Sequence, residues 1–159
     1  MSLNLHAAVR APIQAVNADT PSWWYVNKGP QPSLSGPGSV ASYETAIPVQ
    51  CQIQPPSGRD LKFIDYLQLQ GIIRTVFMFF NPGGLNRVNQ TGNDLLLFPQ
   101  WTGAPNDAWK VYQIPEYWGV GSGGWSKVFA VLQTDRLYSA LDDAGLLILD
   151  DNGRIVRSK

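Results

Sequence analysis

Catalysis needs a nucleophile with its base, two carboxylates across a cleft, or a set of metal ligands, and this chain supplies few such residues. It has one histidine, His6, and one cysteine, Cys51. His6 has no cluster of cysteines or carboxylates beside it and reads as a surface or cap residue. Cys51 cannot form an intrachain disulfide; it falls within the alternating run PVQCQIQP and is expected to be a small buried residue. The carboxylates Asp60, Asp65, Asp94, Asp107 and Glu116 could furnish a glycosidase-like pair, but nothing in their spacing requires one. Asp142, Asp143, Asp150, Asp151 and Asn152 hint at calcium, yet the ligand spacing of an EF-hand loop is missing and turn chemistry accounts for Asp150 to Gly153. The segment GVGSGGW lacks the Lys-Ser/Thr of a phosphate-binding loop and precedes a strand pattern, not a helix. The expectation is no catalytic residue, no metal and no cofactor.

The elements that carry these residues are most legible from Gly92 to Gln133. Asp94 to Phe98, Ala108 to Ile114 and Lys127 to Gln133 are strand-length apolar or alternating runs, separated by Gly, Pro and Asn. The segments between them are too short for crossover helices, so consecutive antiparallel hairpins are expected. Trp109, Val111 and Gln113 are set against Lys110 and Tyr112. The fold class is mainly β: a small antiparallel barrel or sandwich.

Around this core the chain divides into 1–28, an N-terminal helix and aromatic segment; 29–42, a Pro/Gly/Ser-rich linker or loop; 43–133, the β core; and 134–159, a C-terminal helix and hairpin extension. Leu5, Ala8, Val9, Ile13 and Val16 recur at helical intervals, interrupted by Pro12. Trp23, Trp24 and Tyr25 cannot all point inward from one strand. Either Trp23 and Tyr25 plug the barrel end with Trp24 on the surface, or the segment anchors a neighbouring subunit. Val49, Cys51 and Ile53 face one way and Gln50, Gln52 and Gln54 the other. Ser57 is placed to cap an inserted helix through Arg59 to Leu67, with Leu61, Ile64 and Leu67 on its apolar side. Ile72 to Phe80 is the longest strand. After Gln133, Leu137, Ala140 and Leu141 share one side of a short helix ended by Gly145, and Asp151-Asn152-Gly153 turns a final hairpin between Leu146–Leu149 and Arg154–Arg157.

At 159 residues the chain is long enough for one domain with a real core. Its 44% hydrophobic and 15% charged composition is globular, and six Trp, six Tyr and six Phe favour cores and interfaces alike. Twelve basic and twelve acidic residues cancel, so net charge points to neither nucleic acid nor an anionic membrane. Met1 to Asn17 lacks the apolar core of a signal peptide, and the longest apolar run, Val76 to Phe80, is far short of a membrane span.

The run from Val49 to Gln133 resembles the tailed-bacteriophage neck proteins, the small head-completion, stopper or collar subunits. The likeness rests on Gln52, Gln54 and Asp60-Leu61; on Asp65-x-Leu67 leading to Leu69-Gln70-Gly71-Ile72-Ile73-Arg74; and on Gly92-Asn93-Asp94-Leu95-Leu96 with Phe98-Pro99. It closes with Trp109-Lys110-Val111, Tyr117-Trp118, Trp125-Ser126-Lys127-Val128 and Val131-Leu132-Gln133. The loops at Gln100 to Asp107 and Val120 to Gly124 and both termini depart from the pattern. The resemblance implies a structural virion protein, assembled in the host bacterial cytoplasm, that forms a ring, usually hexameric, in the neck between head and tail. Implied partners are copies of itself, the portal-side connector and tail-side neck proteins, and genomic DNA passing without sequence-specific binding; no membrane is involved. Trp23, Trp24, Tyr25, Trp101, Trp118, Leu137, Tyr138, Leu141, Ile148 and Ile155 are the expected interface residues. The competing reading is a monomeric carbohydrate-binding or host-attachment β-domain in which exposed Trp stacks on sugars.

Overall fold

The computed structural model describes residues 17–33, 37–68, 70–80, 93–99, 106–118, 125–133 and 146–156. Successive strand residues face opposite ways, and this alternation builds the molecule. Six strands close into an antiparallel barrel in the order β1 (Thr20–Tyr25), β4 (Ile47–Gln54), β5 (Ile73–Met78), β8 (Trp125–Leu132), β7 (Asp107–Trp118) and β6 (Leu95–Phe98), with β6 returning to β1. Closure leaves no free edge for another chain to extend. Val76, Met78, Leu96, Phe98, Val111, Val128 and Ala130 fill the interior together with Cys51 and Ile53, as the alternation of β4 requires. Trp109 is fully buried and stacks on Phe98 with centroids 4.9 Å apart.

The barrel recruits β1 from ahead of the expected 43–133 core, and this reverses the expected placement of its aromatics. Trp24, not its neighbours, packs against the barrel interior, its ring tilted against Phe80 with centroids 4.5 Å apart. Its indole Nε1 donates to Asp94 Oδ2 at 2.8 Å, and Asp94 Oδ1 accepts from the Asn27 backbone at 2.9 Å. Register decides this orientation: Trp24 pairs with Leu96, an interior residue, so Trp23 and Tyr25 must face outward.

The Pro/Gly/Ser-rich stretch is a two-stranded ribbon, not a linker: β2 (Asn27–Pro32) pairs with β3 (Ser39–Tyr43). Composition hides it because Pro30 and Pro32 are poor strand formers, yet both fit a two-stranded ribbon, where one edge needs no donors. Strand β7 runs past the expected Ile114 to Trp118, with register shifts after Val111 and after Gln113. The first shift turns Gln113 outward opposite Phe129 and lets Ile114 pack on the core, the reverse of simple alternation.

Helix α1 (Gly58–Tyr66) starts where expected, within one residue. Ser57 and Asp60 form a reciprocal capping box: the Ser57 hydroxyl accepts from Asp60 N, and Asp60 Oδ2 accepts from Ser57 N at 3.0 Å. The helix lies on the outer face of β8. Phe63 packs on Phe129 at 6.0 Å, and Lys127 Nζ reaches Asp60 Oδ1 at 2.6 Å. Its buried side is Asp60 and Ile64, and Leu61 is left exposed, contrary to the expected Leu61–Ile64–Leu67 face.

A second layer covers β1 and β6 from outside. Tyr25, Leu95, Leu97 and Ala108 point away from the interior and are buried under Tyr43 and Leu147, with Trp23, Leu149 and Ile155 packed alongside. The expected C-terminal hairpin is present as the bridge Leu149 to Ile155, with Val156 N donating to Ile148 O at 2.9 Å. Its turn is Asp150 to Gly153, where Asp150 Oδ1 accepts from the backbones of Asn152 and Arg154 and Oδ2 accepts from Arg154 Nε at 2.6 Å. Gly153 has φ +75°, and its N–H donates to Asp150 O. The expected helices before Asn17 and after Gln133, and the loops at 81–92, 100–105 and 119–124, lie outside the described residues.

Candidate interaction surfaces

Among the described residues no group of three or more His, Cys, Asp or Glu is arranged to hold a metal ion. Burial pushes the Cys51 thiol up to about 12, so it stays protonated and unreactive at neutral pH. Tyr43 is likewise pushed up to about 12, by burial and by the charge of Asp94. Asp94 and Asp60 are both committed to their own chain, one to Trp24 and Asn27, the other to Lys127 and Ser57. The acids at the final turn serve the same local purpose: Asp150 is spent on Asn152 and Arg154. Among the described residues no helix is long and apolar enough to cross a membrane.

Among the described residues, exposed apolar side chains gather on two surfaces. On α1, Tyr66 is 82% exposed and Leu61 54%, with Phe63 also partly in solvent. Arg59, Lys62 and Tyr66 follow at helical spacing on one stripe, so two cations precede the exposed ring on its own face. Asp65 lies beside them.

On the other side of the barrel, Val40, Val156 and Ile148 are each a little over a third exposed. Val156 pairs with Ile148 across the final hairpin. The Ser42–Arg154 bridge sets β3 antiparallel to the same segment, so its register carries Val40 towards Val156. Three apolar side chains thus run across three adjacent extended segments. Next to this stripe lies a groove of about 650 Å³ between the β3–β4 corner and the final hairpin, walled by Tyr25, Tyr43, Glu44, Ile47, Leu147 and Asp151 among others. Ile47 is 38% exposed there.

The two surfaces lie on opposite flanks. Helix α1 sits on β8; the ribbon and final hairpin sit on β1 and β6. Around a six-strand ring ordered β1-β4-β5-β8-β7-β6, β8 is diametrically across from β1.

Of the residues expected at interfaces, Tyr25 is buried within its own chain, where its hydroxyl accepts from Leu147 N at 3.0 Å. Trp23 and Ile155 are half-buried in the same layer, and Trp24 packs on the core. Ile148 is exposed on the stripe. Trp118 ends β7, its backbone paired with Trp125. Trp101, Leu137, Tyr138 and Leu141 lie outside the described residues. Sequence reasoning missed Tyr66, Leu61, Ile47, Val40 and Val156. A usable signal existed for Tyr66, since an aromatic off the apolar side of a capped helix has no core to enter. No family model matches the chain, and no curated protein matches it.

Proposed function

We propose that this chain is a structural virion subunit that assembles as a ring, of the hexameric type, in the neck of a tailed bacteriophage. There it joins the DNA-filled head to the tail around the DNA channel. The observation that carries the reading is the pair of unlike apolar surfaces on opposed flanks of one closed barrel. A subunit whose two flanks differ is suited to head-to-tail association, and such a contact builds a closed ring where the rotation between successive copies closes and a filament where it does not. The motif likeness from Val49 to Gln133 supports the neck as the place, with portal-side and tail-side neck proteins above and below. Zero net charge suits a channel through which DNA must slide, since each phosphate neutralised by a basic residue would strengthen binding.

Light scattering and electron microscopy of the purified full chain, alone and with isolated necks, test this. A closed ring, in solution or on the neck, is the expected result. A protein that stays monomeric, does not join necks, and instead changes its tryptophan fluorescence on adding polysaccharide would replace this reading with a glycan-binding β-domain. The buried or half-buried state of Trp23, Trp24, Trp109 and Trp125 argues against these four as sugar-stacking platforms.

A further inference from the structure

We infer that the ring contact is made by α1 of one copy seated in the groove of the next, with Tyr66 as the anchor. This rests on the ring reading and specifies its interface. Three features favour a second copy as the occupant. The helix and the groove lie on opposite flanks, so each copy presents one donor and one acceptor surface and no copy can satisfy its own. Their charges are complementary: Arg59 and Lys62 precede Tyr66 on its stripe, while the groove sets Glu44 and Asp151 against Lys28, Asp150 being paired with Arg154. The third is the exposed ring itself: Tyr66 is 82% exposed at the C-terminal end of the helix, and a Tyr that buries its ring while keeping its hydroxyl near polar rim groups is a frequent interface hot spot.

The groove wall is apolar below, from Leu147 and Leu149, and acidic at its rim, from Glu44 and Asp151. Tyr66 contributes the apolar part of the contact, and Arg59 and Lys62, on the same stripe, reach the rim. Rim charge pairs are screened by salt, so assembly weakens as ionic strength rises, while the apolar part persists.

Two variants made in the full chain test the contact: Tyr66→Glu on the helix side and Ile47→Glu on the groove side, with Lys62→Glu and Glu44→Lys as second choices on each side. All four positions are exposed, and circular dichroism with a cooperative melt verifies folding. Each variant alone is expected to raise the assembly dissociation constant by at least about thirtyfold, the effect of losing a hot spot. Mixing the two helix-side and groove-side variants is the decisive arm. The intact helix of the Ile47→Glu copy fits the intact groove of the Tyr66→Glu copy, so the mixture forms a one-to-one dimer by sedimentation and grows no further. Wild-type rings together with rings from Tyr66→Glu overturn this contact and leave the ring reading standing. Two variants that fail alone and also fail when mixed overturn it too, since the surfaces then do not meet. A wild-type chain that is monomeric at every concentration overturns it as well, and neck incorporation then decides the ring reading separately.

Discussion

Replacing Lys127 with Met tests how α1 is held to the barrel. The ammonium lies 2.6 Å from Asp60 Oδ1, and the two side chains are only 12% and 8% exposed. Its other acid, Glu116, is 3.4 Å away and 44% exposed. An exposed pair contributes at most about 1 kcal/mol, whereas stranding one member of a buried pair costs roughly 3–5 kcal/mol. Asp60 stays below that upper range because Ser57 still donates to it and the helix N-terminus still favours its charge. The expected loss for Lys127→Met is therefore about 2–3 kcal/mol, or about 5–10 °C in melting temperature for a domain of this size. Glu116→Gln should cost under about 0.5 kcal/mol.

The acid dependence gives a second readout. Burial by itself raises the Asp60 carboxyl, but the hydrogen bonds from Lys127 and Ser57 outweigh it and leave the group below its ordinary value. A carboxyl with a depressed folded pKa contributes stability that is complete above its unfolded value and is lost as pH falls through the folded one. Thermal melts from neutral pH downward should therefore show a full Lys127→Met deficit at pH 7, narrowing below about pH 4 as Asp60 protonates in both proteins. Equal melting of Lys127→Met and Glu116→Gln, or a deficit undiminished at about pH 2, would refute the assignment.

Gly153→Ala should loosen the final hairpin by about 1–3 kcal/mol, because φ is +75° and an added Cβ would collide with the Tyr43 carbonyl; hydrogen exchange confined to residues 146–156 and the β3 backbone reads this out. Trp24→Phe keeps a ring against Phe80 but withdraws the indole donor from Asp94, and urea unfolding should show a loss of about 1–2 kcal/mol. Trp23→Phe, by comparison, removes no hydrogen bond that holds the barrel closed and should cost less. Cys51, fully buried with its thiol raised to about 12, should react with a thiol reagent only as fast as the protein opens, so labelling rate should track global unfolding across the denaturant range.

Much of the barrel was legible because strand alternation is a local property. Val49, Cys51 and Ile53 had to share a face whichever strand they paired with, and the consecutive β6-β7-β8 hairpins followed from the short segments between them. The Ser57–Asp60 cap and the Asp150–Gly153 turn were legible for the same reason, since donor and acceptor lie within four residues. Where alternation failed, a bulge intervened: nothing in Val111-Tyr112-Gln113 announces that one residue slips out of register. Proline and glycine content concealed the ribbon because composition reports an average, whereas pairing of Gln31 with Val40 is a specific match. Of the interaction surfaces, Ile148 was named in advance and Tyr66 could have been, from its place off the apolar side of the capped helix, but the exposure of Ile47 could not.

Local pattern thus set the two faces of β4 and of β7 as far as Val111, the helix start and the last turn, all consequences of neighbours a few positions apart. Only the tertiary structure decided that β1 closes the barrel against β6, which face of Trp23-Trp24-Tyr25 looks inward, and that α1 and the final hairpin occupy opposed flanks. Those outcomes depend on contacts such as Trp24 with Asp94, 70 residues apart, and no local pattern encodes which distant strand completes a ring.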